Sequence, residues 1–203
     1  MENKLDKFYS SAWTSGIARA NRFEVFITPP NAKGFSEVNN TNLLRHMTIV
    51  CEAINIPSQT IATTESRING LPVIPLPYSF SYTNQLELSF KLSEDYRERN
   101  FFLAWQDLVY KPGLGFSYYN EYVGTIVMRP MNTANVVKQE FVFRNCFPVT
   151  VQDLQYGWGS NNENLKQGVT MSFFSQEVRT LGLMAGNIDS SRTNPFNSGI
   201  QQA

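Results

Sequence analysis

Arg67-Ile-Asn-Gly-Leu-Pro-Val-Ile-Pro-Leu-Pro-Tyr78 turns the chain back on itself and then continues as something other than an ordinary strand. Asn69-Gly70 suits a type I′ turn, because both residues tolerate positive φ. Before the turn, Gln59 to Ile68 is rich in Thr and Ile, as a strand should be. After it, Leu71 to Tyr78 carries Pro72, Pro75 and Pro77. Each proline lacks a ladder N–H, so this limb must be an edge, a bulged strand or an extended arm. The reading is a β-hairpin over residues 56–80. Its Leu71, Val73, Ile74 and Leu76 are too apolar to stay in water, and packing on a neighbouring copy of the chain would bury them. Arg67, Asn69, Gly70, Leu71, Val73, Ile74 and Leu76 are therefore the candidate subunit-interface residues.

On the N-terminal side, Phe8, Trp13 and Ile17 fall at near-helical spacing. Arg22 to Thr28 alternates, with Phe23, Val25 and Ile27 on one face, and stops at Pro29-Pro30. Residues 31–46 read as a loop around Asn39-Asn40-Thr41-Asn42, and Met47 to Ile56 as a strand. Past the hairpin, Gln85 to Ser93 sets Leu86, Leu88, Phe90 and Leu92 against polar partners at period two. One helix follows over 93–111, with Ser93 as its cap, Glu94 and Asp95 in its first turn, and Pro112-Gly113 ending it. Its apolar stripe is Phe101, Phe102, Trp105, Leu108 and Val109. Strands are predicted at Tyr122–Arg129, Lys138–Asn145, Phe147–Gln155 and Gly168–Phe174, with a turn at Gly157–Glu163. These signals predict a mainly-β fold: two packed antiparallel sheets, as a sandwich or barrel, with one α-helix and a long assembly hairpin. A single domain spans 1–180, and 181–203 is a polar C-terminal extension.

Composition narrows the function. With 203 residues, Lys+Arg 17 against Asp+Glu 17 leaves a net charge of zero. A protein held on nucleic acid by phosphate contacts needs a basic face, which this balance does not supply. Low charge also weakens repulsion between copies. The N-terminus shows no signal-peptide pattern and no stretch reaches transmembrane length, so the expectation is a chain made in a reducing cytoplasm without membrane association. Cys51 and Cys146 read as free thiols.

A search for chemistry yields no catalytic set, no metal site and no cofactor site. His46 is the single histidine, which rules out multi-histidine metal centres. Glu94 and Asp95 are adjacent helix residues that point apart. Gly113-Leu-Gly115 lacks the pattern of a phosphate loop, and Asp153 and Glu163 are too few for a calcium loop. Most aromatics fall at inward positions of strands and helix and read as core.

In order, these landmarks resemble the tail tube proteins of contractile-tailed bacteriophages. The resemblance lies in Phe8 to Val25, in Cys51-Glu-Ala-Ile-Asn-Ile-Pro57, in Arg67-Ile68-Asn69, in Phe102-Leu-Ala-Trp-Gln106 and most closely in Asp153-Leu-Gln-Tyr-Gly-Trp-Gly-Ser-Asn-Asn-Glu163. It covers residues 8–178; the loop at 29–46, the segment near 112–122 and the tail after Thr180 depart from the short family pattern. The resemblance implies a sixfold ring (a homo-hexamer), with stacked rings forming the DNA-conducting tube and inner strands joined around the lumen. It implies sheath, baseplate and terminator proteins as partners, DNA that passes without specific binding, and assembly in the host bacterial cytoplasm into a virion tail. Arg67 and Lys91, against Glu65 and Glu87, predict a neutral or acidic lumen. A baseplate tube initiator or adaptor shares the fold and is the alternative. A monomeric carbohydrate-binding β-sandwich is the rival of another class.

Overall fold

A computed structural model of the chain describes residues 4, 18–32, 35, 40–66, 74–158 and 164–181. In chain order its elements are β1 (Phe23–Thr28), α1 (Thr41–Val50), β2 (Cys51–Asn55), β3 (Gln59–Ser66), β4 (Ile74–Tyr82), β5 (Gln85–Lys91), α2 (Arg97–Val109), β6 (Tyr110–Lys111), β7 (Gly115–Phe116), α3 (Tyr119–Tyr122), β8 (Gly124–Pro130), β9 (Gln139–Val151), β10 (Lys166–Ser172) and β11 (Ser175–Thr180). All pairings are antiparallel, and β9 belongs to two sheets. Its first half lies between β8 and β11, with β1 beyond β8. Its second half pairs with β10, followed by β5 and β2. The sheets do not close into a barrel.

One residue lets β9 serve both sheets. Phe143 and Cys146 are both fully buried in the core, although strict alternation would put them on opposite faces. Between them, the pairing with β8 slips: Thr125 faces Arg144, Gly124 faces Cys146, and Asn145 has no opposite number. Asn145 has φ of 54°, a left-handed conformation that asparagine tolerates better than most residues. This bulge resets the alternation, and the strand feeds the same core from both sheets. The sequence reading broke the strand here into two, at Asn145 and Phe147; the structure corrects this to one continuous strand.

The core unites Val25, Ile27, Ile126 and Met128 of one sheet with Leu86, Leu88, Phe90, Val169 and Met171 of the other, and with Phe101, Phe102 and Trp105 of α2. Of the predicted faces, Leu86, Leu88, Phe90, Phe101, Phe102, Trp105 and Leu108 are buried, whereas Leu92 and Val109 are half-buried. Trp105 donates its indole N–H to the Tyr122 carbonyl at 2.7 Å, satisfying the one polar group on this ring. Gly124 permits this packing, because a Cβ there would lie 2.8 Å from the Trp105 ring and 2.5 Å from the Thr28 carbonyl oxygen.

Several expectations need correction. Residues 41–50 form a helix, where the sequence read a loop and then a strand. Asn40 of the loop-like asparagine cluster is its N-cap, accepting from the Asn42 N–H at 3.0 Å. Thr48 returns its hydroxyl to the Leu44 carbonyl at 3.1 Å, and Met47 anchors the helix in the core. The single predicted helix is therefore joined by α1 and by the four-residue α3. Ser93 does not cap α2: residues 93–96 first make a turn, closed by Tyr96 N–H to Ser93 O at 3.0 Å, and the helix starts at Arg97. It ends at Val109, where the chain enters the β6–β7 ribbon, so Pro112-Gly113 turns that ribbon. Strand β11 was not anticipated. The N-terminal stretch of near-helical spacing, most of the 157–163 turn and the tail after Leu181 lie outside the described residues.

Candidate assembly surface

The predicted hairpin is present, as β3 paired with β4 in a two-stranded sheet of its own. It continues the β2–β5 pair beyond the end of β10, whose last partner on β5 is Gln85. An isolated two-stranded ribbon is marginal in water, and among the described residues no sheet lies beneath this one. Of the predicted interface residues, Ile74 and Leu76 stand on β4, exposed at 44% and 47%. Arg67, Asn69, Gly70, Leu71 and Val73 lie outside the described residues.

Register decides which way these apolar groups face. Ser66 opposes Ile74 and Thr64 opposes Leu76, whereas Ile61 opposes Phe80. The pairing slips between Ala62 and Thr63, leaving Tyr78 as an extra residue on β4. An inserted residue moves the alternation to the other face. Ile74 and Leu76 therefore share one face, and Ile61, exposed at 61%, lies on the opposite face. The described part of the ribbon is therefore apolar on both faces.

A second exposed apolar feature escaped the sequence reading, which assigned most aromatics to the core. Ribbon β6–β7 stacks Tyr110 on Phe116 with ring centroids 5.1 Å apart and leaves Leu114, Phe116 and Tyr118 exposed. Its tight return uses Gly113 and Gly115 at φ of 84° and 88°. That Gly-Leu-Gly spacing was the available signal. Tyr156 and Trp158 are also exposed, on the segment after β9; the Tyr156 hydroxyl donates to that of Tyr96 at 3.2 Å.

The buried titratable groups Glu98, Glu140 and Cys146 are engaged in structure. Glu98 is fully buried and meets His46 Nε2 at 2.7 Å, Ser93 Oγ at 2.7 Å and the Ser93 N–H at 3.1 Å. Burial would raise its carboxyl, but these hydrogen bonds outweigh it and hold Glu98 below the usual carboxylate range. Serine and glutamate both address the same ring nitrogen of His46, the serine also at 3.0 Å. A catalytic relay needs them on opposite nitrogens, so this cluster ties α1 to the start of α2. Burial pushes the Cys146 thiol up to about 12, which suppresses its nucleophilic thiolate. No group of three or more metal-ligating side chains occurs among the described residues, nor is any described helix long and apolar enough to cross a membrane.

The described residues thus form a two-sheet β domain with an apolar ribbon projecting beyond its sheets and with buried ionisable groups held in structural bonds. The phage tail tube protein family matches residues 18–177, and the chain belongs to that family, as a tail tube subunit. A comparison with curated protein sequences finds no significant match. Among solved structures, a chain of the anti-feeding prophage baseplate is similar at 15% identity and a TM-score of 0.59, covering 83% of this chain and 99% of that one. A chain in the sheath–tube complex of an extracellular contractile injection system is similar at 11% identity and 0.57, covering 85% and 97%. One in the anti-feeding prophage tube-terminating cap is similar at 14% and 0.57, covering 81% and 92%. At these identities the likeness is one of fold.

Proposed function

We propose that six copies of this chain close into a ring, and that rings stack into the DNA-conducting inner tube of a contractile tail. The observation that carries this reading is the β3–β4 ribbon, apolar on both faces and projecting beyond the two sheets of its own chain. Sheath protein surrounds the tube, baseplate and terminator proteins hold its ends, and DNA passes through a neutral or acidic lumen without specific binding. The work is mechanical, with no enzymatic step, and the assembled protein resides in the virion tail after assembly in the host bacterial cytoplasm. One domain, 1–180, makes the ring, and 181–203 extends from it.

Cryo-electron microscopy of the purified chain over a concentration series tests this. The expected product is long tubes with sixfold symmetry and a lumen not dominated by Lys and Arg. A different rotational symmetry, or a lumen lined mainly by basic residues, would refute the corresponding part. The exposed Leu114, Phe116 and Tyr118 favour a second reading, a baseplate initiator or adaptor whose extra ribbon meets a different protein. That reading predicts single rings that do not stack. A chain that stays monomeric over the whole concentration series would count against both.

A further inference from the structure

Pro75 and Pro77 make the arm one-sided. Pro75 opposes Glu65 and Pro77 opposes Thr63. Opposed residues of an antiparallel pair either exchange two hydrogen bonds or aim their N–H and C=O groups at the outer edges, in alternation. A proline cannot take the first kind of position. Both proline pairs are therefore of the outward kind, and Thr64–Leu76 and Ser66–Ile74 carry the bonds between the strands. Along this part of β4 the outer edge presents carbonyls and no N–H. An incoming strand would find only half the bonds of a ladder there. On β3 the same register points both the N–H and the C=O of Thr63 and of Glu65 outward.

We propose that the arm joins a second copy of this chain by strand pairing along the outer edge of β3, through the backbones of Thr63 and Glu65, while the prolines close the edge of β4. This rests on the tube reading. A β3-to-β3 contact would be twofold and closed, whereas a ring or tube needs two different surfaces to meet. Strand β11, free of proline and paired among the described residues with β9 alone, is such an edge in the neighbour.

The test substitutes Thr63→Pro and Glu65→Pro together. Neither removes a bond between β3 and β4. The doubly substituted chain should melt as the unaltered one does, yet need at least about tenfold more protein to form tubes, for loss of two edge donors worth ~1 kcal/mol each. Tubes at the unaltered concentration would overturn the proposal. The unaltered chain supplies a second reading that requires no substitution, from residue-resolved amide exchange in monomer and tube. Thr63 and Glu65 should exchange freely in the monomer and at least tenfold more slowly in tubes, whereas Thr64 and Ser66, bonded within the ribbon, should already exchange more slowly than those two in the monomer. Fast exchange at Thr63 and Glu65 within tubes would overturn the proposal and leave the tube reading intact; absence of tubes from the unaltered chain would overturn both.

Discussion

Replacing Ile61, Ile74 and Leu76 together by Thr should separate folding from assembly. Threonine keeps the strand preference while removing most of the apolar surface. These side chains are 61%, 44% and 47% exposed, so the chain's own fold already covers about half of what could be buried. Complete burial of an Ile or Leu contributes roughly 1.5–3 kcal/mol, which leaves about 1 kcal/mol per residue for a neighbour to cover. The triple substitution therefore costs about 3 kcal/mol per contact. At 1.4 kcal/mol per decade, the concentration needed for tubes should rise about a hundredfold. Sedimentation and negative-stain microscopy over a dilution series give that threshold, and a thermal melt of the dilute chain reports the monomer. A threshold within threefold of the unaltered one would show that the ribbon is not where assembly energy is made. A melt lowered by ten degrees or more would place the three residues in the monomer's own core.

Asn145→Gly should be tolerated and Asn145→Ala should destabilise by about 1 kcal/mol, because φ of 54° is costly for a Cβ-bearing residue without a polar side chain; chemical denaturation measures both. Gly124→Ala should destabilise by roughly 1–3 kcal/mol through its collision with Trp105 and the Thr28 carbonyl, read from the same denaturation curves. Glu98 is held below its ordinary value in the folded chain, so its ionised form contributes stability that is fully present above the unfolded carboxylate pKa of about 4.3 and is lost as pH falls through the lower folded value. Glu98→Gln should therefore flatten the acid limb of stability against pH; an unchanged limb would show that the His46–Ser93–Glu98 cluster does not control it. Cys146, at about 12, should resist alkylation at pH 8 in the folded chain and react at the rate of unfolding, measured by mass spectrometry.

Local chemistry made much of this protein legible from sequence. Asn69-Gly70 and the prolines around it define a hairpin with an abnormal second limb, because turn and ladder preferences act over a few residues. Alternation over Gln85–Lys91 and the stripe from Phe101 to Leu108 identify buried faces, because each periodicity is set by its own backbone. The same local reasoning failed at Met47–Val50, where β-branched residues suggest a strand and a capped helix with Met47 in the core forms instead. It failed at Ser93 too, whose hydroxyl is taken by Glu98 five residues away.

What only the tertiary structure decided is register. The unpaired residues Asn145 and Tyr78 exist as bulges only against β8 and β3, the strands that precede and pair with their own. The first brings both sheets to one core; the second puts apolar groups on both faces of the arm. The sequence shows that Pro75 and Pro77 lack N–H groups, but not where those missing donors would have pointed. That direction depends on which residue stands opposite, and opposition is a property of the folded pair.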